Sequence, residues 1–154
     1  MKLLLHACCG PCSLEPTRLL KAAGHDITIY YANSNIHPAE EYEHRLATLR
    51  AWAADAGFEV LEGPYDPATW EACAGRIGDA AIAEVEGARA EAGAESECAS
   101  EGASPRAAVL SVDPARREAR CRACYRLRLE ETARVAAEQG FEGIGTTLSV
   151  SPYQ

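Results

Sequence analysis

Two groups of cysteines stand at spacings suited to metal or redox chemistry. Cys8, Cys9 and Cys12 fall in His6-Ala7-Cys8-Cys9-Gly10-Pro11-Cys12-Ser13, and a second pair forms Cys121-Arg122-Ala123-Cys124. Thiolates are soft ligands, so two such groups brought together would bind a soft metal or an iron–sulfur cluster. The spacing alone does not separate zinc from iron–sulfur. Adjacent cysteines are less usual than paired Cys-x-x-Cys knuckles in small zinc ribbons, which favours a cluster. Both groups are expected at the start of a helix, where converging N–H groups and the helix dipole stabilise a thiolate.

A competing reading takes Cys9-Gly10-Pro11-Cys12 as a thioredoxin-like tetrapeptide that exchanges disulfides through Cys9 and Cys12 without metal. Against it, Cys8 stands where thioredoxins usually carry Trp, and the second pair is left without a role. A third reading is a zinc-stabilised binding module without catalysis. Cys73 and Cys98 have no partner at useful spacing and read as structural or incidental. His37, after Asn33 and Asn35, could donate or shuttle a proton, or cap the following helix. Asp66 could do the same or cap a short helix. His6 reads as a satisfied core residue and His25 as a surface turn residue.

The elements that must position these groups follow from periodicity. Residues 2–7 read as a buried strand, 12–23 as a helix ended by Gly24, and 26–31 as a β-branched and aromatic strand. A polar loop at 33–38 leads into a helix over 39–56, with Tyr42, Leu46, Leu49 and Trp52 on its apolar side. Residues 58–61 form a third strand, and Asp66-Pro67 opens a short helix carrying Trp70 and Cys73. Residues 78–118 are rich in Ala, Glu, Gly and Ser, and read as a low-complexity insertion, partly helical or disordered. A helix over 122–139 and a last strand from Phe141, with the polar turn Thr146-Thr147-Leu148-Ser149, complete the pattern. Alternating strands and helices imply an α/β fold, a mainly parallel sheet with helices on both faces. The loops carrying Cys8, Asn33 and Thr146 would then line one rim at the carboxyl ends of the strands, where such sheets bind ligands.

The 154 residues fit a single α/β domain over 1–154, with the insertion at 78–118 inside it. Seven cysteines, an odd number, argue against a disulfide framework. The apolar run in Met1-Lys2-Leu3-Leu4-Leu5 is too short for a signal peptide, and none reaches the length of a membrane span, so a cytoplasmic location is expected. The net charge of −8 argues against a generic nucleic-acid binder. Charge is uneven, however. Arg116, Arg117, Arg120, Arg122, Arg126 and Arg128 crowd the second cysteine pair, either as a phosphate-contacting patch or as a solvated helix face.

The segments HACCGPCS, YYANSNIHPAEEYEHRLATLR, EGPYDPATW, RCRACYRLRLEETARVAAEQGF and TTLSVSP resemble the QueH-type epoxyqueuosine reductases. The resemblance covers nearly the whole chain outside 78–118. It implies a Rossmann-like, HUP-type α/β domain. It also implies reduction of the epoxide of epoxyqueuosine in tRNA to an alkene, the last step of queuosine biosynthesis. A [4Fe–4S] cluster held by Cys8, Cys9, Cys121 and Cys124 is implied too. Cys12 would then stand behind the ligands or bind an additional iron. The partners would be tRNA, with the modified base protruding from its anticodon loop, and an electron donor that the sequence does not identify; no membrane is involved. Tyr30, Tyr31 and Tyr42 are candidates for stacking on that base where they face the rim. Family members continue past the SPYQ motif to a C-terminal Cys-Gly-Cys region, so the chain is expected to be incomplete at its C-terminus.

Overall fold

The computed structural model describes residues 1–77 and 114–150. The described chain divides into two compact units, Met1–Pro67 with Leu127–Gln154, and Ala68–Arg126. The first contains the sheet. Its strands are β1 (Lys2–His6), β2 (Asp26–Tyr31), β3 (Glu59–Glu62) and β4 (Gly143–Thr146), in the order β3-β2-β1-β4 and all parallel. Helix α1 (Gly10–Ala22) joins β1 to β2, and α2 (Ala39–Ala56) joins β2 to β3. The chain then reaches the far side of β1. The direction of strand placement therefore reverses between β1 and β4, which is the switch point where parallel sheets open a crevice.

β1 is paired on both sides and covered on both faces, so it reads as a continuous apolar run rather than an alternation. Leu3, Leu4, Leu5 and His6 are all buried. On one face Ala7, Ile29 and Tyr31 pack against Ile36 and against Tyr42, Leu46, Leu49 and Ala53 of α2. On the other, Leu4, Tyr30 and Ala32 pack against Val135 and Ala136. The expected α/β architecture with helices on both faces is thus present. Glycines in β4 serve close approach: a Cβ on Gly145 would lie 3.1 Å from Leu5 Cδ1.

Strand β2 and helix α2 fall where the residue pattern places them. Three other elements differ. Helix α1 begins at Gly10, not Cys12, because Pro11 fits a first helical turn. Its buried side is Gly10, Ser13 and Thr17, whereas Leu14 and Leu19 are exposed. Small residues let α1 approach α2 closely, and their hydroxyls bond within the helix, Ser13 Oγ to Cys9 O at 2.8 Å and Thr17 Oγ1 to Ser13 O at 2.7 Å. The last strand is short, ending at Thr146 before a 3₁₀ turn at Leu148–Val150.

The largest difference is the final helix, α4 (Pro114–Glu138). It starts eight residues before the expected 122. Pro114 suits a first turn, and the Ala, Arg and Glu that follow are strong helix formers. An i,i+4 pair, Glu118 with Arg122, adds to this. Residues 114–118 of the expected insertion, read as partly helical or disordered, belong to this helix, and its residues 78–113 lie outside those described. Helix α3 (Pro67–Trp70) runs directly into a π-helical turn, Glu71–Gly75. No helix among the described residues is long and apolar enough to cross a membrane.

Candidate metal centre

Strand β1 ends at the switch point, and the cysteines follow at once. Cys9 is the N-cap of α1, with extended backbone, and no acidic residue occupies the first turn. The Sγ atoms of Cys8, Cys9 and Cys12 all lie within 4.8 Å of one another, and those of Cys8 and Cys9 are 3.9 Å apart. Thiolates bound to one metal at 2.3 Å in a tetrahedron sit about 3.8 Å apart. The three free, half-buried thiols could therefore hold a metal. Burial pushes the Cys12 thiol up to about 12, and the hydrogen bond to Cys9 and the neighbouring Cys8 charge act in the same direction. A bound cation would reverse this by displacing protons from the sulfurs.

The peptide that carries Cys8 is held at both ends by side chains. Thr147 Oγ1 accepts the Cys8 N–H at 3.2 Å and lies 3.4 Å from Cys8 Sγ, to which its hydroxyl donates. On the other side the Ala7 carbonyl accepts from Asn33 Nδ2 at 2.9 Å, and Asn33 Oδ1 in turn accepts from Arg128 Nη2. The rim expected from the three polar loops is therefore assembled around Cys8. Below it, His6 is fully buried, with Nε2 3.4 Å from Ala32 O and Nδ1 3.2 Å from Thr146 Oγ1. A carbonyl only accepts, so Nε2 carries the proton and Nδ1 accepts from the Thr146 hydroxyl. Burial, with the Arg128 charge second, pulls His6 down to about 4, so the ring is neutral at physiological pH. This is the satisfied core role expected for it.

His37 and Asp66 lie on loops that are sewn together. Ser34 Oγ donates to Pro64 O at 3.3 Å and accepts the Asp66 N–H at 3.0 Å, while Tyr65 Oη donates to Ile36 O at 2.8 Å. Both side chains are exposed.

The tyrosines are not at the rim. Tyr30, Tyr31 and Tyr42 are buried in the two cores, with Tyr42 stacked on Tyr65 at 4.1 Å. They are unavailable for stacking on a substrate base, because strand alternation sends Tyr30 and Tyr31 into opposite layers.

In the second unit, Cys121 and Cys124 are not at a helix start. They lie well inside α4, because the helix begins at Pro114, so helix-terminal stabilisation of their thiolates does not apply. Cys121 is exposed, and Cys124 is buried, accepting the Trp70 indole N–H at 3.3 Å. Arg120 lies over the Trp70 ring, 5.2 Å from its centroid. Arg128 also leaves the expected surface patch, being only 5% exposed. Trp70 had no site role in the sequence reading; Asn33 and Thr147 entered it only as members of polar loops on the expected rim, and Arg128 only as one of the arginines around the second cysteine pair.

The profile of the family described as "Epoxyqueuosine reductase QueH" matches residues 3–92 and 96–154. The chain belongs to the QueH family. It is 30% identical to an epoxyqueuosine reductase QueH of Staphylococcus aureus, over 98% of this chain and 52% of the relative. Similarity to the QueH protein of Histophilus somni is also 30%, over 99% of this chain and 49% of the relative. With that of Dehalococcoides mccartyi it is 29%, over 99% and 63%. The chain thus spans about half the length of the curated QueH relatives it matches.

Proposed function

We propose that the chain forms the metal-bearing part of an epoxyqueuosine reductase acting on tRNA in the cytoplasm. The observation that carries this is the group of three thiols at the switch point of a QueH-family sheet. An all-sulfur donor set without oxygen or nitrogen suits iron–sulfur chemistry. Cys8, Cys9, Cys121 and Cys124 would hold a [4Fe–4S] cluster, with Cys12 behind them or on an additional iron. When bound, such a cluster supplies electrons singly and a Lewis acid for the epoxide oxygen.

Loss of the epoxide oxygen as water consumes two electrons and two protons. The chain's own residues have three tasks in this. Thr147 and Asn33 orient Cys8. The hydroxyl of Thr147, donating to the Cys8 sulfur, holds that sulfur in place. His37 and Asp66, on their joined loops, are the candidates to deliver a proton to the leaving oxygen. The electrons come from a separate donor.

Anaerobic purification with iron, sulfide and zinc analysis tests the reading. Iron with sulfide in the wild type, lost in both Cys8→Ala and Cys121→Ala, is the expected result. Unchanged iron in both variants would remove the ligand assignment. Zinc alone would favour a tRNA-binding module. No metal, with a Cys9–Cys12 pair that exchanges disulfides, would favour a thioredoxin-like oxidoreductase.

A further inference from the structure

Among the described residues, Arg128 presents a buried charge without a counter-charge. It is 5% exposed, its Nε is buried without a hydrogen-bond partner, and its guanidinium is bonded through Nη2 to the neutral amide of Asn33. Among the described residues no carboxylate pairs with it, although the neighbouring helix positions show such pairs freely: Arg134 binds both Glu131 and Glu138. A buried cation left this way is costly, and proteins retain one where an anion completes it. The amide it holds leads straight to the cysteines. Asn33 is fully buried and donates to the Ala7 carbonyl, the acceptor end of the Ala7–Cys8 peptide.

We infer that Arg128 is the counter-cation and positioning residue of the thiolate centre, acting on Cys8 through the Asn33 amide. A divalent ion with three thiolates carries a net negative charge, and so does an iron–sulfur cluster with four. Formation of either centre beside Cys8 supplies the anion that Arg128 lacks. The charge also orients Asn33, whose Oδ1 must face the guanidinium and whose Nδ2 must then face Ala7 O. This fixes the plane of the peptide from which Cys8 projects. The inference rests on the metal-binding reading of Cys8, Cys9 and Cys12, but not on the metal being iron–sulfur.

The test is therefore made with Cd²⁺, added to the metal-free chain and followed by thiolate-to-metal charge-transfer absorption. A Cys8→Ser control must lose most of the band. Arg128→Gln removes the charge and keeps a donor. Asn33→Asp sets a carboxylate against the guanidinium and cancels its charge in place. Each should weaken Cd²⁺ binding at least tenfold, whereas Arg128→Lys should stay within about threefold of wild type. A merely structural arginine would instead make Lys and Gln equally weak, in step with their melting temperatures. That result, or unchanged affinity in both Arg128→Gln and Asn33→Asp, overturns the inference, as does failure of both to fold. A wild-type chain without a Cys8-dependent band overturns it too. Absence of iron and sulfide in the wild type, by contrast, defeats only the cluster reading.

Discussion

Folding should be acid-sensitive through His6, in a pH window that carboxylates do not occupy. The ring is fully buried, donates to Ala32 O, accepts from Thr146 Oγ1, and is pulled down from the ordinary 6.5 to about 4. Above pH 6.5 the ring is neutral in both the folded and unfolded chains, and contributes no pH dependence. Below 6.5 the unfolded chain takes up a proton that the folded chain refuses, so stability falls as pH falls, and the fall saturates below about 4. The whole gap corresponds to roughly 3 kcal/mol. About 2 kcal/mol of it is lost between pH 7 and pH 5. Urea denaturation of the reduced, metal-free chain at the two pH values, followed by tryptophan fluorescence, measures this loss. His6→Gln cannot ionise, and though less stable at both pH values it should lose about 2 kcal/mol less than wild type over the same interval. Equal losses in the two proteins would refute the argument, because the buried neutral ring would then not be the titrating group.

Three further substitutions probe the site and its support. Thr147→Val keeps the shape but leaves the Cys8 N–H without its acceptor, and should cost about 1–2 kcal/mol in urea denaturation and weaken thiolate–metal binding. Leu49→Ala empties a fully buried position in the core under α2 and should cost 2–5 kcal/mol by the same measurement, about the usual range for such truncations. Gly63→Ala would place a methyl group 2.8 Å from Ala32 Cβ and against the Tyr30 hydroxyl, so a loss of about 1–3 kcal/mol is expected from overpacking, read as a lower thermal midpoint.

Much of the sheet was legible because its signals are local. The β-branched run at Asp26–Tyr31 and the helical spacing through Tyr42, Leu46 and Leu49 each decide their own element. Legibility failed where the local signal pointed elsewhere. In α1 the leucines suggested the buried side, yet Leu14 and Leu19 face outward, because close packing on α2 selected Gly10, Ser13 and Thr17 instead. At the start of α4, Ala, Arg and Glu lack the large apolar groups that make a helical period visible, although the same residues propagate a helix well. The pairing of Arg128 with Asn33 joins residues 95 positions apart, and no periodicity encodes it. A buried arginine was instead read as part of an exposed row, because helical spacing gives the face of a residue only once the partner surfaces are known.

The position of the thiols follows from the strand order more than from the cysteines' own sequence. Up to Ala7 the backbone of β1 is satisfied by its neighbours: Ala7 N–H donates to Tyr30 O, and His6 O accepts from Thr147 N–H. Beyond that residue the flanking chains diverge, as they must where strand placement reverses, and the ladder has no partner to offer. The two groups of the Ala7–Cys8 peptide are taken over by side chains instead, its carbonyl by Asn33 from the β2 side and its N–H by Thr147 from the β4 side. Buried peptide groups require partners, so these two residues are needed for folding whatever else they do. The same requirement explains why a polar amide is tolerated with no exposure at all: the crevice that admits a ligand removes backbone partners, and side chains replace them.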